Sequence, residues 1–307
     1  MATQSVVAAP ARSSLFLVLT VNHGAEAAVR SILGDIPALT RAVGFRRPED
    51  SLTTVVGLGS DLWDRMLTAP KPRHLHPFIA LHGDTHTAPS TPGDLLIHVR
   101  SQHPDTAFEV SRLITDRLSD HTAIADEVHA FRYFDERDLL GFVDGTENPE
   151  GDAATDAVLI DDDPDYTGGS YVIVQKYTHD MPAWDSLTAE QQERVIGRTK
   201  LDDVQLDDLP ANSHVALNSI TDDDGNDLDI LRFNMAFGSL SAKEFGTYFI
   251  GYAKNPAVTE RMLHNMFIGD PVGTTDRILD FSTAITGSLF FVPSIDALET
   301  LSGGGDS

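Results

Sequence analysis

The sequence predicts an α+β fold of two tandem ferredoxin-like units with antiparallel sheets. Three observations carry that prediction. Strand-like and helix-like runs follow the order β-α-β-β-α-β, the same order recurs in the second half, and a glycine-rich acidic segment, "GFVDGTENPEG" at 141–151, lies between them. A chain of 307 residues, 41% of them hydrophobic, supplies the core that such a fold needs.

In the first unit, "SLFLVLTVN" (14–22) is a β-former run, followed by the helical "GAEAAVRSILGDIPALTRAV", for which Asn22 is a candidate cap. "SLTTVVGLGSDLW" (51–63) and "DLLIHVRSQH" (94–103) read as strands, "PDTAFEVSRLITDRL" as a helix capped by Asp105, and "AIADEVHAFRYF" (123–134) as a strand. In the second, "SYVIVQKYTHD" (170–180) is a strand and "SLTAEQQERVIG" a helix with a Thr188/Gln191 capping box. "DILRFNMAFG" (229–238) and "GTYFIGYAKN" (246–255) form a strand pair, "NPAVTERMLHNMFIG" is a helix capped by Asn255 with Pro256 in its first turn, and "GSLFFVPS" (287–294) is the last strand. The units are placed at 1–138 and 139–307, and the tail "LSGGGDS" is expected to be flexible.

The charge narrows the function. Forty-seven acidic against 22 basic residues give a formal net of −25, which repels nucleic-acid phosphate and anionic lipid. No run approaches the roughly 18 apolar residues of a membrane helix, and the start lacks a secretory pattern, so a cytoplasmic protein with neither nucleic-acid nor membrane partners is expected. With no cysteine, thiolate nucleophiles and cysteine-held metals are excluded, which leaves His, Asp, Glu or a prosthetic group. The segment holding His74, His76, His82, Asp84 and His86 has no regular frame and reads as a surface loop before a metal site. His98, His129 and His264 fit packed or surface positions in regular elements, and the acidic clusters at 161–163, 202–203, 207–208 and 222–224 fit solvated turns.

Ligand sites favour junctions between units, so Asp144 is either a turn aspartate bonding its own backbone or a carboxylate held for chemistry. In "LRFNM", strand alternation puts Arg232 and Asn234 on one face and Leu231, Phe233 and Met235 on the other. An arginine and an asparagine on a covered face call for a polar ligand; on an open face Arg232 would simply pair with a carboxylate. His214 precedes a short apolar segment in the same unit.

Taken in order, "GFVDGTENP", "VIGRTK", "SHVAL", "LRFNMAFG" and "ILDFSTAITGSLFFVPS" resemble the dye-decolorising peroxidases, specifically the bacterial B-type branch, and the similarity extends back to about residue 50. The resemblance implies haem b held mainly in the second unit, with His214 as proximal iron ligand and Asp276 as its carboxylate partner. It also implies Asp144, Arg232 and Asn234 on the distal side, Gly145, Thr146 and Glu147 against the haem edge, and Arg198 at a propionate. The activity implied is reduction of hydrogen peroxide through a ferryl intermediate, with dyes, phenols or Mn(II) as one-electron donors. Large donors would need a surface relay among Trp63, Trp184 and the six tyrosines. The alternative from another class is a haem-handling protein that stores, delivers or demetallates haem, which would not need Asp144 or Arg232. Homo-oligomers from dimer to hexamer are expected from the family. Leu217 stands where many relatives carry arginine, and the tail shows no clear extension of the kind that loads relatives into encapsulin shells.

Overall fold

The computed structural model describes residues 2–303. The first half runs through β1 (Ser13–Val21), α1 (Glu26–Gly44), β2 (Thr53–Gly59), α2 (Ser60–Met66), a small hairpin of β3 (Leu81–His82) and β4 (Thr87–Ala88), β5 (Leu95–Ser101), α3 (Pro104–Leu118) and β6 (Thr122–Phe131). After α4 (Gly151–Val158) come β7 (Ser170–His179), α5 (Met181–Asp185), α6 (Ala189–Ile196) and α7 (His214–Asn218). The chain then passes through β8 (Leu231–Arg232), β9 (Met235–Ser239), β10 (Glu244–Ala253), α8 (Pro256–Phe267), β11 (Ser282–Ala284), β12 (Ser288–Val292) and α9 (Ile295–Gly303). Both halves therefore follow the expected β-α-β-β-α-β order, with short elements added between.

All pairings are antiparallel, and the two sheets do not stay separate. Strand β7 pairs with β10 along one side and with β12 along the other, while β12 also joins β2 and β6 joins β9. The strands β7-β12-β2-β5-β1-β6-β9-β10 thus close into a barrel. Alternation then divides the side chains into two cores. Phe16, Val18, Val55, Leu96, Val128, Val174, Tyr248, Ile250, Tyr252 and Phe290 pack together inside. Their neighbours Leu15, Leu17, Leu19, Val56, Leu58, Ile97 and Val99 point outward to a second core, shared with Val29, Leu33 and Ile36 of α1 and Val110, Ile114 and Leu118 of α3. Inside the barrel, Phe16 stacks on Tyr248 at 4.2 Å and on His98 at 4.7 Å, and His98 Nδ1 meets the Tyr252 hydroxyl at 2.8 Å. His98 is thus a packed strand histidine. Gly57 is required where β2 meets β12, because a Cβ there would lie 2.9 Å from that of Phe290.

The Thr188/Gln191 capping box is present, and Asn255 caps α8 by accepting from the Ala257 amide at 3.0 Å. Four local expectations change. Asn22 does not cap α1, which starts at Glu26 after a turn at Gly24, and Ala25 holds the cap position. Asp105 lies in the first turn of α3, because Pro104 takes the first helical position; its carboxylate pairs with Arg47 at 2.7 Å. The expected strand 51–63 ends at Gly59, and Leu62, Trp63 and Met66 turn into the core from α2. The expected strand 229–238 divides into β8 and β9, with Phe233 and Asn234 between. The histidine-rich segment is mostly loop with the β3–β4 hairpin, and His76 and His86 face Glu260 at 3.2 Å and Asp280 at 3.4 Å. Of the expected flexible tail, 301–303 continue α9 and 304–307 lie outside the described residues.

Candidate active site

The turn that carries Asp144 is fixed by its own backbone. Asp138 and Phe142 exchange bonds, with the Asp138 amide donating to the Phe142 carbonyl at 2.8 Å and the Phe142 amide to Asp138 Oδ1 at 3.0 Å. Gly141 adopts φ +91°, a left-handed value that suits glycine, and a Cβ there would meet Lys200 Cε at 2.6 Å. Trp184 Nε1 holds the turn from below by donating to the Leu140 carbonyl at 2.9 Å, and Phe142 packs edge-on against the same ring. The Asp144 amide then donates to the Glu136 carbonyl at 3.0 Å. The reading of Asp144 as an aspartate bonded only within its own turn does not describe it. Its Oδ1 accepts from Asn234 Nδ2 at 3.2 Å, across 90 residues of chain.

Asp144, Arg232, Asn234 and His214 line one cavity of about 280 Å³. Its other walls are largely apolar, with Ile196, Val215, Phe249, Met262, Leu263 and Met266 among them. Arg232 and Asn234 share this face as alternation predicted, while Leu231, Phe233 and Met235 join the barrel core. Asn234 is held from both ends, since its Oδ1 accepts from the Ile250 amide at 3.2 Å while its Nδ2 serves Asp144. The Arg232 backbone is clamped by the Asn148 side chain, whose Oδ1 accepts from the Arg232 amide at 3.0 Å and whose Nδ2 donates to its carbonyl at 2.8 Å. Arg232 Nε is buried and has no hydrogen-bond partner among the described residues. Withdrawal from water pushes the Asp144 carboxyl above the usual range, against the opposing pull of the Arg232 guanidinium, the Asn234 N–H and the His214 ring.

His214 opens α7 behind Ser213, whose hydroxyl caps the helix by accepting from the Ala216 amide at 3.4 Å. Its Nδ1 lies 2.7 Å from Oδ2 of Asp276, which has no exposed surface, and the other Asp276 oxygen accepts from the Ile278 amide at 2.9 Å. With Nδ1 donating to the carboxylate, Nε2 carries the free lone pair. At the rim, Arg198 pairs with the Glu147 carboxylate and donates to the Asp203 carbonyl at 2.7 Å, and Thr146 donates to Asp203 Oδ2 at 2.6 Å. Gly145, Thr146, Glu147 and Arg198 all line the cavity, whereas Asp276 stands behind His214.

Four residues that sequence reasoning missed belong to this site. Asn218, one helical turn after His214, donates to the His214 carbonyl at 2.8 Å, and the i, i+4 spacing was the available signal. Asn148 clamps Arg232 as described. His179 lines the cavity between the Ser282 and Thr247 hydroxyls at 2.9 and 3.0 Å, and burial lowers its pKa to about 4, so it is neutral. Asp138 also lines the cavity; desolvation, with the nearby Asp144 charge adding to it, raises its pKa to about 7.

The donor set fits a flat, mostly apolar group that carries a metal. A neutral imidazole nitrogen backed by a carboxylate is a strong metal ligand, the apolar walls suit a macrocycle, and the orphaned Arg232 Nε and the half-buried Asp144 put charged groups in the same cavity.

Residues 3–132 match the family described as Dyp-type peroxidase, N-terminal, and residues 135–297 the one described as Dyp-type peroxidase, C-terminal. A curated dye-decolorizing peroxidase of Mycolicibacterium paratuberculosis is 56% identical over 299 residues, covering 96% of this chain and 84% of that one. DyPB from Rhodococcus jostii RHA1 superposes with a TM-score of 0.95 at 59% identity, covering 97% of each chain, and a variant of it at 58% identity has been solved in complex with heme, with the same TM-score and 97% and 98% of the two chains covered. The encapsulated DyP-type peroxidase from Mycobacterium smegmatis gives 0.95 at 57% identity, again over 97% of each chain. With both family regions matched and close relatives aligned over most of their length, the chain belongs to the Dyp-type peroxidase family and is a haem-dependent peroxidase.

Proposed function

We propose that His214 would hold the haem iron through Nε2 and that Asp144, Arg232 and Asn234 form the peroxide-cleaving group in the same cavity. Haem, when bound, supplies the redox-active iron and its ring. The chain supplies position, charge and protons. Asp276 accepts the Nδ1–H and so makes Nε2 a more basic donor. Arg198, Gly145, Thr146 and Glu147 would hold the haem at the rim of the cavity, and with the units placed at 1–138 and 139–307 the second supplies every lining residue of that cavity but Asp138.

Reduction of peroxide to two waters needs two protons and two electrons, and one proton must move from the inner to the outer oxygen as the O–O bond breaks. Asp144 is suited to that transfer, because its raised pKa lies nearer working pH than that of a free aspartate, about 3.9. Arg232 offers a permanent positive charge and an unused Nε–H to the departing oxygen. Asn234 acts on Asp144 by fixing its carboxylate, through a bond that the Ile250 amide keeps in one orientation. The electrons come from small donors such as dyes, phenols or Mn(II), and the proposal extends to a cytoplasmic homo-oligomer. Among the described residues no helix is long and apolar enough to cross a membrane.

The observation that carries this reading is the convergence of the His214–Asp276 pair and the Asp144–Asn234–Arg232 group on one cavity. Absorption spectra and stopped-flow mixing with peroxide test it. His214→Ala is expected to lose the ferric Soret band of bound haem, and Asp144→Asn to keep that band while reacting with peroxide on the order of a hundredfold more slowly. Unchanged peroxide kinetics in Asp144→Asn would remove Asp144 from the mechanism.

A further inference from the structure

A second cavity, of about 400 Å³, opens at one mouth of the barrel between the segment at 7–11 and the turn at 148–151. It shares Asp144, Arg232 and Asn234 with the first. Its inner wall holds a buried positive charge. Arg100 on β5 stands opposite Ser14 on β1 in the strand register, both inside the barrel, at 2% and 1% exposure. The guanidinium lies 4.3 Å over the Phe233 ring, and Nη2 donates to the Ser5 carbonyl. Its Nε and Nη1, and the Ser14 hydroxyl, have no hydrogen-bond partner among the described residues, and no carboxylate there forms an ion pair with the guanidinium.

A guanidinium has only donors, and burying one without a counter-charge is unfavourable. The carboxylates on the same cavity wall are committed elsewhere or stand at its rim. Glu136 pairs with Arg132 at 2.7 Å, Asp144 takes its bond from Asn234, Asp138 accepts from the Phe142 amide, and Glu150 is exposed. The lining mixes apolar Val7, Pro10, Phe131, Leu231 and Phe233 with polar and charged residues, Arg132, Arg137 and Arg232 among them.

We propose that Arg100 and Ser14 form a binding site for a small monoanion, a carboxylate or a compact inorganic ion, in the cavity next to the peroxide-cleaving group. The planar fork of Arg100 matches a carboxylate, the Ser14 hydroxyl adds a third donor, and the apolar wall accepts the rest of an organic acid. The site does not depend on the roles proposed for Asp144 and Arg232.

Isothermal titration calorimetry of the haem-loaded protein with formate, benzoate and bromide tests it. Saturable binding is expected, weakened about tenfold or more in Arg100→Met and changed less than about twofold in Arg132→Met, whose arginine already holds Glu136. Benzoate that displaces bromide identifies an organic-acid site; bromide and formate binding without benzoate identifies one for compact ions. Binding at the iron would shift the Soret band and persist in Arg100→Met, and would overturn the proposal, as would the absence of saturable binding by all three. Should Arg100→Met not fold, bromide-soaked crystals of the unaltered protein decide: an anomalous peak between Arg100 and Ser14 supports the site, and none there at saturating bromide refutes it.

Discussion

Asp276 Oδ2 and His214 Nδ1 lie 2.7 Å apart, and the carboxylate has no exposed surface. A buried carboxylate that accepts an imidazole N–H shifts electron density toward the other ring nitrogen and so favours a more oxidised metal. Asp276→Asn keeps an acceptor for the Ile278 amide but removes the charge. The ferric/ferrous potential measured by spectroelectrochemistry should rise, and haem affinity should fall roughly 10- to 100-fold. An unchanged potential would mean that the pair only orients the ring.

Arg232 and a lysine carry the same charge but not the same shape. Arg232→Leu should slow peroxide cleavage by about 10²–10³ at constant haem content, as expected for losing a donor to developing negative charge. Arg232→Lys should recover only part, because a point charge on a flexible stem cannot reproduce a fixed fork. Pre-steady-state rate constants against peroxide concentration separate the three proteins. Full recovery by lysine would show that net charge alone matters.

Asp138 makes the stability of the fold depend on pH. Its folded pKa, about 7, lies above the unfolded value of about 3.8, so between those values the folded protein holds a proton that the unfolded chain has lost. Stability from this group is fully present below the unfolded pKa and is lost as pH rises toward 7, at up to about 1.4 kcal/mol per pH unit. Asp138→Asn removes that slope, so urea midpoints of the two proteins should diverge as pH rises from 5 to about 7.5, with the variant gaining. Parallel midpoints would place the titration elsewhere.

Asn148 satisfies both backbone groups of Arg232 at the edge of β8. Asn148→Ala should cost about 1–2 kcal/mol in urea unfolding and also slow peroxide cleavage, because the guanidinium loses its fixed base. A stability loss with unaltered kinetics would confine Asn148 to holding the strand.

What sequence could show followed from local rules. Alternation alone put Arg232 and Asn234 on a shared face, the glycines marked the turn before Asp144, and the capping box of α6 and the Asn255 cap of α8 were legible because each needs only four residues of chain. The losses also have local causes. Strand β2 passes directly into α2 with no connecting loop, Pro104 displaced the cap of α3 by two residues, and the turn at Gly24 moved the start of α1 past Asn22. Closure of the barrel was not legible, since it rests on β7 finding both β10 and β12. Nor were His179, Asn148 and Asp138, whose partners or surroundings come from distant chain.

Barrel closure also bears on how the protein is made. In the ring, β2-β5-β1-β6 form a continuous four-strand sheet, but the outer edge of β2 is covered by β12 and that of β6 by β9. During synthesis the first sheet emerges with both edges bare and its inward apolar face uncovered, and its neighbour β12, residues 288–292, is the last of the described strands to leave the ribosome. The nascent first half is thus the form most open to strand pairing with another copy, and a truncated chain ending before β12 would be poorly soluble rather than a smaller working enzyme.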